Sequence, residues 1–227
     1  PPYMGRKGMN DHLSVFAKEN YPDSKSDLFA MFIERTLALS VKRGMMAMIN
    51  MQSWMFLSSY ENLRGKLLSH STILSMAHLG ERGFDTIGGA VVSTTAFVIQ
   101  NAHHALLKGD YARLIDGKSE AEKSAQMKVA IQNPDCGWFY RASAEDFGMI
   151  PGSPVAYWVS AEVRKAFALD RLGEKIITEG QNKTANNNKY LRQFWEVSAR
   201  DVGVEQKWLP YAKGGPFRRW YGNIDFV

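Results

Sequence analysis

Apolar and polar residues recur with two different periods along the first half of the chain. From residue 28 the apolar positions are 28, 29, 32, 33 and 37, the spacing of one helix face, and Asp27 stands where a capping residue is expected. Runs rich in apolar and β-branched residues follow, and they predict strands at 45–49, 73–79, 90–99 and, more weakly, 109–115. The order helix, strand, helix, strand, strand predicts an α/β fold.

Local signals refine this order. The polar, turn-rich stretch 4–26 predicts a loop with at most one helical turn. Gly44 follows two cations and predicts the end of the first helix. The uninterrupted apolar run 45–49 is typical of a buried parallel strand. Ser58 and Glu61 have the spacing of a capping box and predict where the next helix begins.

A change of composition near residue 170 predicts a domain boundary. Residues 118–131 alternate charged and small apolar groups, as a surface helix does, whereas 180–188 are polar and aromatic residues become dense beyond them. We therefore expect one domain over 1–170 and the beginning of a second over 171–227. The second interleaves cations with aromatic rings, which suits a nucleic-acid surface, although such rings also form cores. We expect most of the rings to be core and the cations that contact DNA to include Lys213, Arg218 and Arg219.

Composition excludes several classes of protein. A chain of 227 residues can bury a sizeable core, and its formal charge of +5 permits a polyanionic partner. The single Cys136 excludes an intrachain disulfide framework and suits a reducing cytoplasm. No apolar run reaches the ~18 residues of a membrane-spanning helix. His103 and His104 lack partners at metal-ligand spacing, so we expect no metal site.

The first three residues, Pro1-Pro2-Tyr3, resemble the end of the Asn/Asp-Pro-Pro-Tyr/Phe/Trp tetrapeptide of enzymes that methylate the amines of adenine or cytosine. Further segments, in the same order, are similar to the adenine-specific DNA methyltransferases of BREX phage-defence systems: 27–35, 44–49, 58–68, 78–84, 90–92, 133–140, 152–158 and 207–222. The resemblance covers essentially the whole chain. It implies the C-terminal half of a Rossmann-like class I methyltransferase sheet, followed by the start of a target-recognition domain. It also implies an internal fragment that begins inside the tetrapeptide.

The resemblance assigns roles on the side of the target base. Adenine's exocyclic amine is a poor nucleophile, and it gains electron density when both of its hydrogens are accepted by the enzyme. One acceptor would be the backbone carbonyl of Pro1, held rigidly because Pro2 follows it. Tyr3 would stack on the base after it has flipped out of double-stranded DNA.

Three further residues have two interpretations each. Phe84 matches the aromatic residue that packs against the flipped base in related enzymes, and it equally fits a core position. Phe97, inside an apolar strand, is expected to be core. Arg6 and Lys7 follow Tyr3 in a glycine-flanked loop, where they would contact phosphates or simply be solvated.

The methyl donor implied by the resemblance is S-adenosylmethionine. In this family it is bound by a glycine-rich loop and an acidic residue that precede the tetrapeptide, and neither is found in this sequence. We therefore expect the chain alone to be inactive. Two alternatives remain open, a methyltransferase acting on protein glutamine and a non-catalytic DNA-binding subunit. Under the main interpretation, the resemblance also implies other proteins of the defence system as partners.

Overall fold

A five-stranded sheet forms the centre of the first of two units in the computed structural model, Pro1–Arg171 and Leu172–Val227. The structure describes residues 1–86, 92–170, 172–175 and 184–227. Within these ranges the strands are β1 Met45–Met51, β2 Thr72–Gly80, β3 Thr94–Gln100, β4 Gly109–Arg113 and β5 Phe139–Ala142. The helices are α1 Asp11–Asn20, α2 Leu28–Leu39, α3 Glu61–His70, α4 Glu120–Gln132, α5 Ala144–Gly148, α6 Ala161–Ala166, α7 Leu172–Lys175 and α8 Asn187–Tyr190.

The sheet is mixed, with the order β1-β3-β2-β4-β5. β3 lies antiparallel between β1 and β2, β4 is parallel to β2, and β5 is antiparallel to β4. Strands β1, β2 and β4 therefore point the same way, and their carboxyl ends meet at one edge. The predicted α/β class and the presence of its four strands are confirmed, although β3 begins only at Thr94 and β4 ends at Arg113; Ala90 and Val91 lie outside the described residues.

Several local predictions were wrong. The stretch 4–26 contains all of α1, whose first turn is capped by the side chain of Asn10 accepting from the N–H of Leu13. Helix α2 ends at Leu39, before the predicted stop at Gly44. The expected capping box at Ser58 is absent, because residues 58–60 form a 3-10 turn and α3 starts after it.

Strand β1 is not a buried parallel strand. It pairs with β3 in antiparallel fashion, and it has an exposed face that includes Met45 and Ile49. On its other face only Met46 and Asn50 are buried. The continuous apolar run therefore predicted the wrong pairing for this strand. Apolar residues on both faces of a strand also occur where one of its faces is open.

Helices α2 and α3 cover one face of the sheet and form the main core with it. The predicted core residue Phe97 is confirmed, because it is buried and packs edge-on against Trp54 at a centroid distance of 5.1 Å. Phe29 and Ile33 of α2 and Leu63 of α3 are also buried in this cluster. The opposite face is partly covered by α4 and holds an open apolar groove of about 630 Å³.

A buried cation joins three segments beside this core. Arg64 of α3 is 2% exposed, and its Nη1 donates to the carbonyls of Trp54 and Leu57 at 3.0 and 2.6 Å. Its Nε and Nη2 both donate to the carbonyl of Gly152 at 3.0 and 2.8 Å. The guanidinium thus fixes the 3-10 turn Gln52–Met55 after β1 and the loop around residue 152 to α3.

The second unit has little regular structure. Its described part contains α7, α8 and two 3-10 turns, Phe194–Glu196 and Ala199–Asp201. Isolated bridges such as Gln193 with Phe226 hold it together. The expectation that most of its aromatic residues are core was wrong, because Phe217, Trp220 and Tyr221 are all more than four-fifths exposed. No helix in the described ranges is long and apolar enough to cross a membrane.

Replacing Arg64 with Met should lower the free energy of unfolding by about 3 kcal/mol or more, because three buried carbonyls lose their donors. Urea unfolding measures this. Lys66→Met on the same helix is the control, since it removes only an ion pair with Asp23 from a half-exposed side chain. The control should cost less than about 1 kcal/mol. Equal losses for the two variants would contradict the role of Arg64.

Candidate active site at the carboxyl edge of the sheet

The carboxyl ends of β1, β2 and β4 define the edge at which ligands bind in α/β sheets. Helix α2 packs on β1 and ends near the amino end of that strand, where Asn101 donates to the carbonyl of Ser40 at 2.9 Å. The start of α2 therefore lies at the carboxyl edge. The residues that precede this helix are brought to the same edge.

Asp27 fixes the Pro1-Pro2-Tyr3 segment to the start of α2. Its Oδ1 accepts from the N–H of Met4 at 3.0 Å and from the N–H of Phe29 at 3.3 Å, so one carboxylate oxygen serves both the loop and the helix cap. The N–H of Leu28 donates in turn to the carbonyl of Met4 at 3.1 Å. The capping role expected for this stretch is confirmed, and the loop that follows Tyr3 is held by it.

Tyr3 is supported from one side and open on the other. Its ring meets Phe29 edge-on at 6.2 Å, and Phe29 packs against Tyr60 at 5.8 Å. The side chain of Tyr3 remains 43% exposed. Burial, and secondly the charge of Asp27, raise the pKa of Tyr3 above its ordinary value and that of Tyr60 to about 12. Both phenols are therefore neutral at physiological pH, which suits stacking on an uncharged ring.

A buried histidine connects two further elements at this edge. His78, near the end of β2, is 3% exposed. Its Nδ1 lies 2.8 Å from the hydroxyl of Tyr157, and its Nε2 lies 2.6 Å from Oε1 of Gln52, the first residue after β1. Burial, and then the charges of Arg113 and Lys123, lower the pKa of His78 to about 4. The imidazole is therefore neutral at physiological pH.

Aromatic rings and a cation surround the histidine. Phe56 and Trp158 lie 6.0 and 6.2 Å from the His78 ring and 5.6 Å from each other. The guanidinium of Arg113 stands 5.9 Å over the Trp158 ring. Trp158 is 37% exposed, so this aromatic wall reaches solvent.

Lys123 binds the ends of two strands at this edge. Its buried ammonium donates to the carbonyls of Leu79 and Leu114 at 2.7 and 2.8 Å. These carbonyls lie at the carboxyl ends of β2 and β4, where the ladder no longer pairs them. The cation therefore keeps the edge in a fixed shape.

The structure gathers some of the predicted site residues and separates others. Pro1, Pro2, Tyr3, Arg6 and Lys7 are all exposed and lie in or beside the loop anchored by Asp27. Phe84 follows β2 at the same edge and is half-buried, without a ring contact to another aromatic residue in the described ranges. The remaining three belong to the second unit: Lys213, Arg218 and Arg219.

Sequence reasoning missed Gln52 as a member of the site, and it named His78 and Tyr157 only as parts of the longer segments 78–84 and 152–158. Gln52 had one available signal, because a polar residue directly after an apolar strand marks the ligand-binding edge. Tyr157 had none, since it is distant from His78 along the chain.

Residues 1–84 match the family model described as "Eco57I restriction-modification methylase". The whole chain is 44% identical over 232 residues to "Adenine-specific methyltransferase BrxX" of Escherichia coli O9:H4 (strain HS), of which it covers 19%. It is 42% identical over 238 residues to "Adenine-specific methyltransferase PglX" of Lacticaseibacillus casei (strain Zhang), of which it covers 20%. The chain thus spans about one fifth of the length of these curated relatives.

Among solved structures, the chain is similar to the type IIG restriction endonuclease BpuSI, with a TM-score of 0.47 and 12% identity. The match covers 91% of this chain and 24% of that one.

The stability of the first unit should fall in mild acid because of His78. Its pKa in the folded state, about 4, is below the ordinary 6.5, so the unfolded chain takes up the proton first. The stabilisation is complete above pH 6.5 and is lost as the pH falls toward 4, by about 3 kcal/mol. Urea unfolding across this range should show the loss in the wild type and not in a His78→Gln variant. Parallel curves for the two proteins would contradict the assignment.

Proposed function

The chain is a relative of the adenine-specific methyltransferases BrxX and PglX along its whole length, and from this premise we propose that it forms part of the catalytic machinery of a site-specific DNA adenine methyltransferase. The observation that carries the proposal is the Pro1-Pro2-Tyr3 loop, tied by Asp27 to the start of α2 at the ligand-binding edge of the sheet. The family match over residues 1–84 includes this loop and the sheet edge behind it.

The proposed substrate is an adenine flipped out of double-stranded DNA. Flipping costs a few kcal/mol, and stacking on an aromatic ring offsets part of this cost. Tyr3 has the exposed ring surface for such stacking, and Phe29 supports it from behind. The carbonyl of Pro1 accepts a hydrogen of the exocyclic amine, which leaves more electron density on the attacking nitrogen. Phe84 forms a second wall of the base pocket.

S-adenosylmethionine is the proposed methyl donor. In the described ranges no strand leads through a glycine-rich turn into a helix, so these residues do not supply the loop that binds such a donor. We infer that the donor is held by another part of the longer protein and that the chain alone is inactive. The present residues bind and orient the base.

The second unit is proposed to be the start of the target-recognition domain, over residues 171–227, and residues 1–170 to belong to the catalytic domain. Residues 184–227 contain seven Lys and Arg and four Asp and Glu, so the unit attracts phosphate. Arg218 and Arg219 are exposed, and the latter stands 5.3 Å over the exposed ring of Trp220. Lys213 lies 4.8 Å over Phe226. Arg6 and Lys7 would contact phosphates beside the flipped nucleotide.

The cellular role that we propose is marking of host DNA in the cytoplasm by a BREX-type phage-defence system, together with other proteins of that system. The names of the relatives, BrxX and PglX, support this role.

Methyl transfer should depend on the ring of Tyr3. In the longer protein that contains this chain, Tyr3→Ala should lower kcat/KM on duplex DNA by about ten- to a hundredfold, because a stacking contact is lost, whereas Tyr3→Phe should stay within a few fold of the wild type. Incorporation of labelled methyl from S-adenosylmethionine, followed by mapping of the modified adenines, measures this. Phe16→Ala, an exposed ring on α1, is the matched control.

Two outcomes would refute this function. Absence of methyl transfer by the wild-type protein on any adenine-containing duplex would favour the non-catalytic DNA-binding alternative. Transfer to a protein glutamine in place of DNA would favour the other alternative.

Arg218 and Arg219 should contribute to DNA affinity through phosphate contacts. Replacing both with Ala should weaken binding and reduce the slope of log K against log salt by about 2, because fewer counterions are released. Fluorescence anisotropy over a range of salt concentrations measures the slope. Replacement of Lys118 and Lys128 in the first unit removes the same charge and is the control. An unchanged slope in the double Arg variant would exclude both side chains from the interface.

A further inference from the structure

We propose that Gln52 donates a hydrogen bond to the flipped adenine and that His78 and Tyr157 hold its amide in the donating orientation. The inference rests on the proposed function and adds a residue that reads the base. Neither the family match nor the sequence patterns assign a role to this glutamine.

Gln52 lies where the base is expected. It is the first residue after β1, at the carboxyl edge of the sheet, and its N–H donates to the carbonyl of Ser93 in the connection between β2 and β3 at 2.9 Å. That connection also carries Phe84. Tyr3 reaches the same edge through the start of α2. Gln52 and Tyr3 therefore both lie at the carboxyl edge of the sheet.

The hydrogen bonds of His78 have one direction. A neutral imidazole has one donor and one acceptor nitrogen, and an amide oxygen can only accept. Since Oε1 of Gln52 lies 2.6 Å from Nε2 of His78, Nε2 carries the proton. Nδ1 is then the acceptor, and the hydroxyl of Tyr157 donates to it at 2.8 Å. The chain of donors runs from Tyr157 through His78 to Gln52.

This direction leaves the amide nitrogen of Gln52 available. Its oxygen points inward to His78, so the two N–H donors of Nε2 point away from it. In the described ranges nothing accepts from this nitrogen, and Gln52 is only half-buried. The reversed amide would require His78 to carry its proton on Nδ1 and the hydroxyl of Tyr157 to accept, so the donating orientation of Gln52 goes with one tautomer of His78 and with Tyr157 as the donor. In this tautomer an N–H donor is presented at the edge.

The chemistry of the donor selects the acceptors of a base. Adenine has acceptors at the ring nitrogens N1, N3 and N7, whereas its exocyclic amine is a donor. An N–H donor beside the aromatic wall of Phe56 and Trp158 can bind one of these ring nitrogens. It does not compete with the carbonyl of Pro1 for the hydrogens of the amine. Recognition of the ring and activation of the amine are then separate tasks.

Gln52→Glu in the longer protein is the decisive variant. It keeps an oxygen that accepts from His78 and removes both N–H donors. We expect kcat/KM on the mapped DNA site to fall by about ten- to a hundredfold, with the melting temperature unchanged. Gln132→Glu, on the exposed side of α4, adds the same charge away from the edge and should have no effect. Gln52→Met, which lacks the added charge, should lower kcat/KM by as much as Gln52→Glu does.

Base analogues identify the acceptor and do not depend on any variant. Duplexes carry 1-deaza-, 3-deaza- or 7-deazaadenine at the methylated position. The wild-type protein should methylate one of these analogues more slowly than adenine. Gln52→Glu should methylate that same analogue at a rate no lower than the wild-type rate on it. If none of the analogues slows the wild-type protein, or if the variant slows all substrates by the same factor, the contact with the base is refuted.

The positioning role of Tyr157 and His78 has its own test. Tyr157→Phe keeps the ring and removes the donor to Nδ1, so we expect a several-fold loss in the wild-type background and none in the Gln52→Glu background. Additive losses would refute positioning through Gln52. If the wild-type protein methylates DNA and Gln52→Glu is equally active, only this inference fails. If the wild-type protein transfers no methyl group, the proposed function itself fails.

Discussion

The site depends on the buried guanidinium of Arg64. It donates to carbonyls of the turn that follows β1 and to the carbonyl of Gly152, two segments far apart in sequence. The first segment carries Gln52 and Phe56, and the second leads directly to Tyr157 and Trp158. Because the described partners of the His78 ring belong to these two segments, the geometry around the ring follows from a cation that never touches it. A charge buried this deeply is tolerated because its donors are satisfied.

At the sheet edge, buried cations bind backbone carbonyls and an anion binds backbone N–H groups. Lys123 saturates the carbonyls at the ends of β2 and β4, as Arg64 does for the turn after β1, while Asp27 saturates the N–H groups of the loop after Tyr3. These charges all face the backbone. The surface that remains for a ligand consists of phenol, indole and amide groups, with the guanidinium of Arg113 over the indole of Trp158. Exposed cations that suit phosphate lie beside Tyr3, and further ones belong to the second unit.

The sequence predicted the fold better than the site. Periodicity located α2 and four strands, because the helices and strands bury one face each. It missed α1, whose few buried positions give a weak pattern, and misplaced the start of α3, where a 3-10 turn uses the expected capping residues. It assigned most aromatic rings of the second unit to the core, whereas those of Phe217 and Trp220 are exposed. Tyr3 could be found from its motif. Arg64 and Tyr157 could not, since their contacts span long separations that no local pattern encodes.

Stacking and hydrogen bonding contribute differently at such a site: stacking stabilises a base, whereas hydrogen bonds distinguish one base from another. Every base has a π-face, so the stacking proposed for Tyr3 would stabilise a flipped nucleotide without identifying it. Acceptance of an exocyclic amine by a carbonyl also fails to separate adenine from cytosine, because both carry one. Discrimination requires a donor or acceptor held against a position at which the two bases differ, such as N7 of adenine, since N1 of adenine and N3 of cytosine are both acceptors beside the amine. Among the described polar side chains at this edge, the amide of Gln52 is coupled to the buried neutral imidazole of His78, so under the proposed function it is the first side chain to test for selectivity between bases.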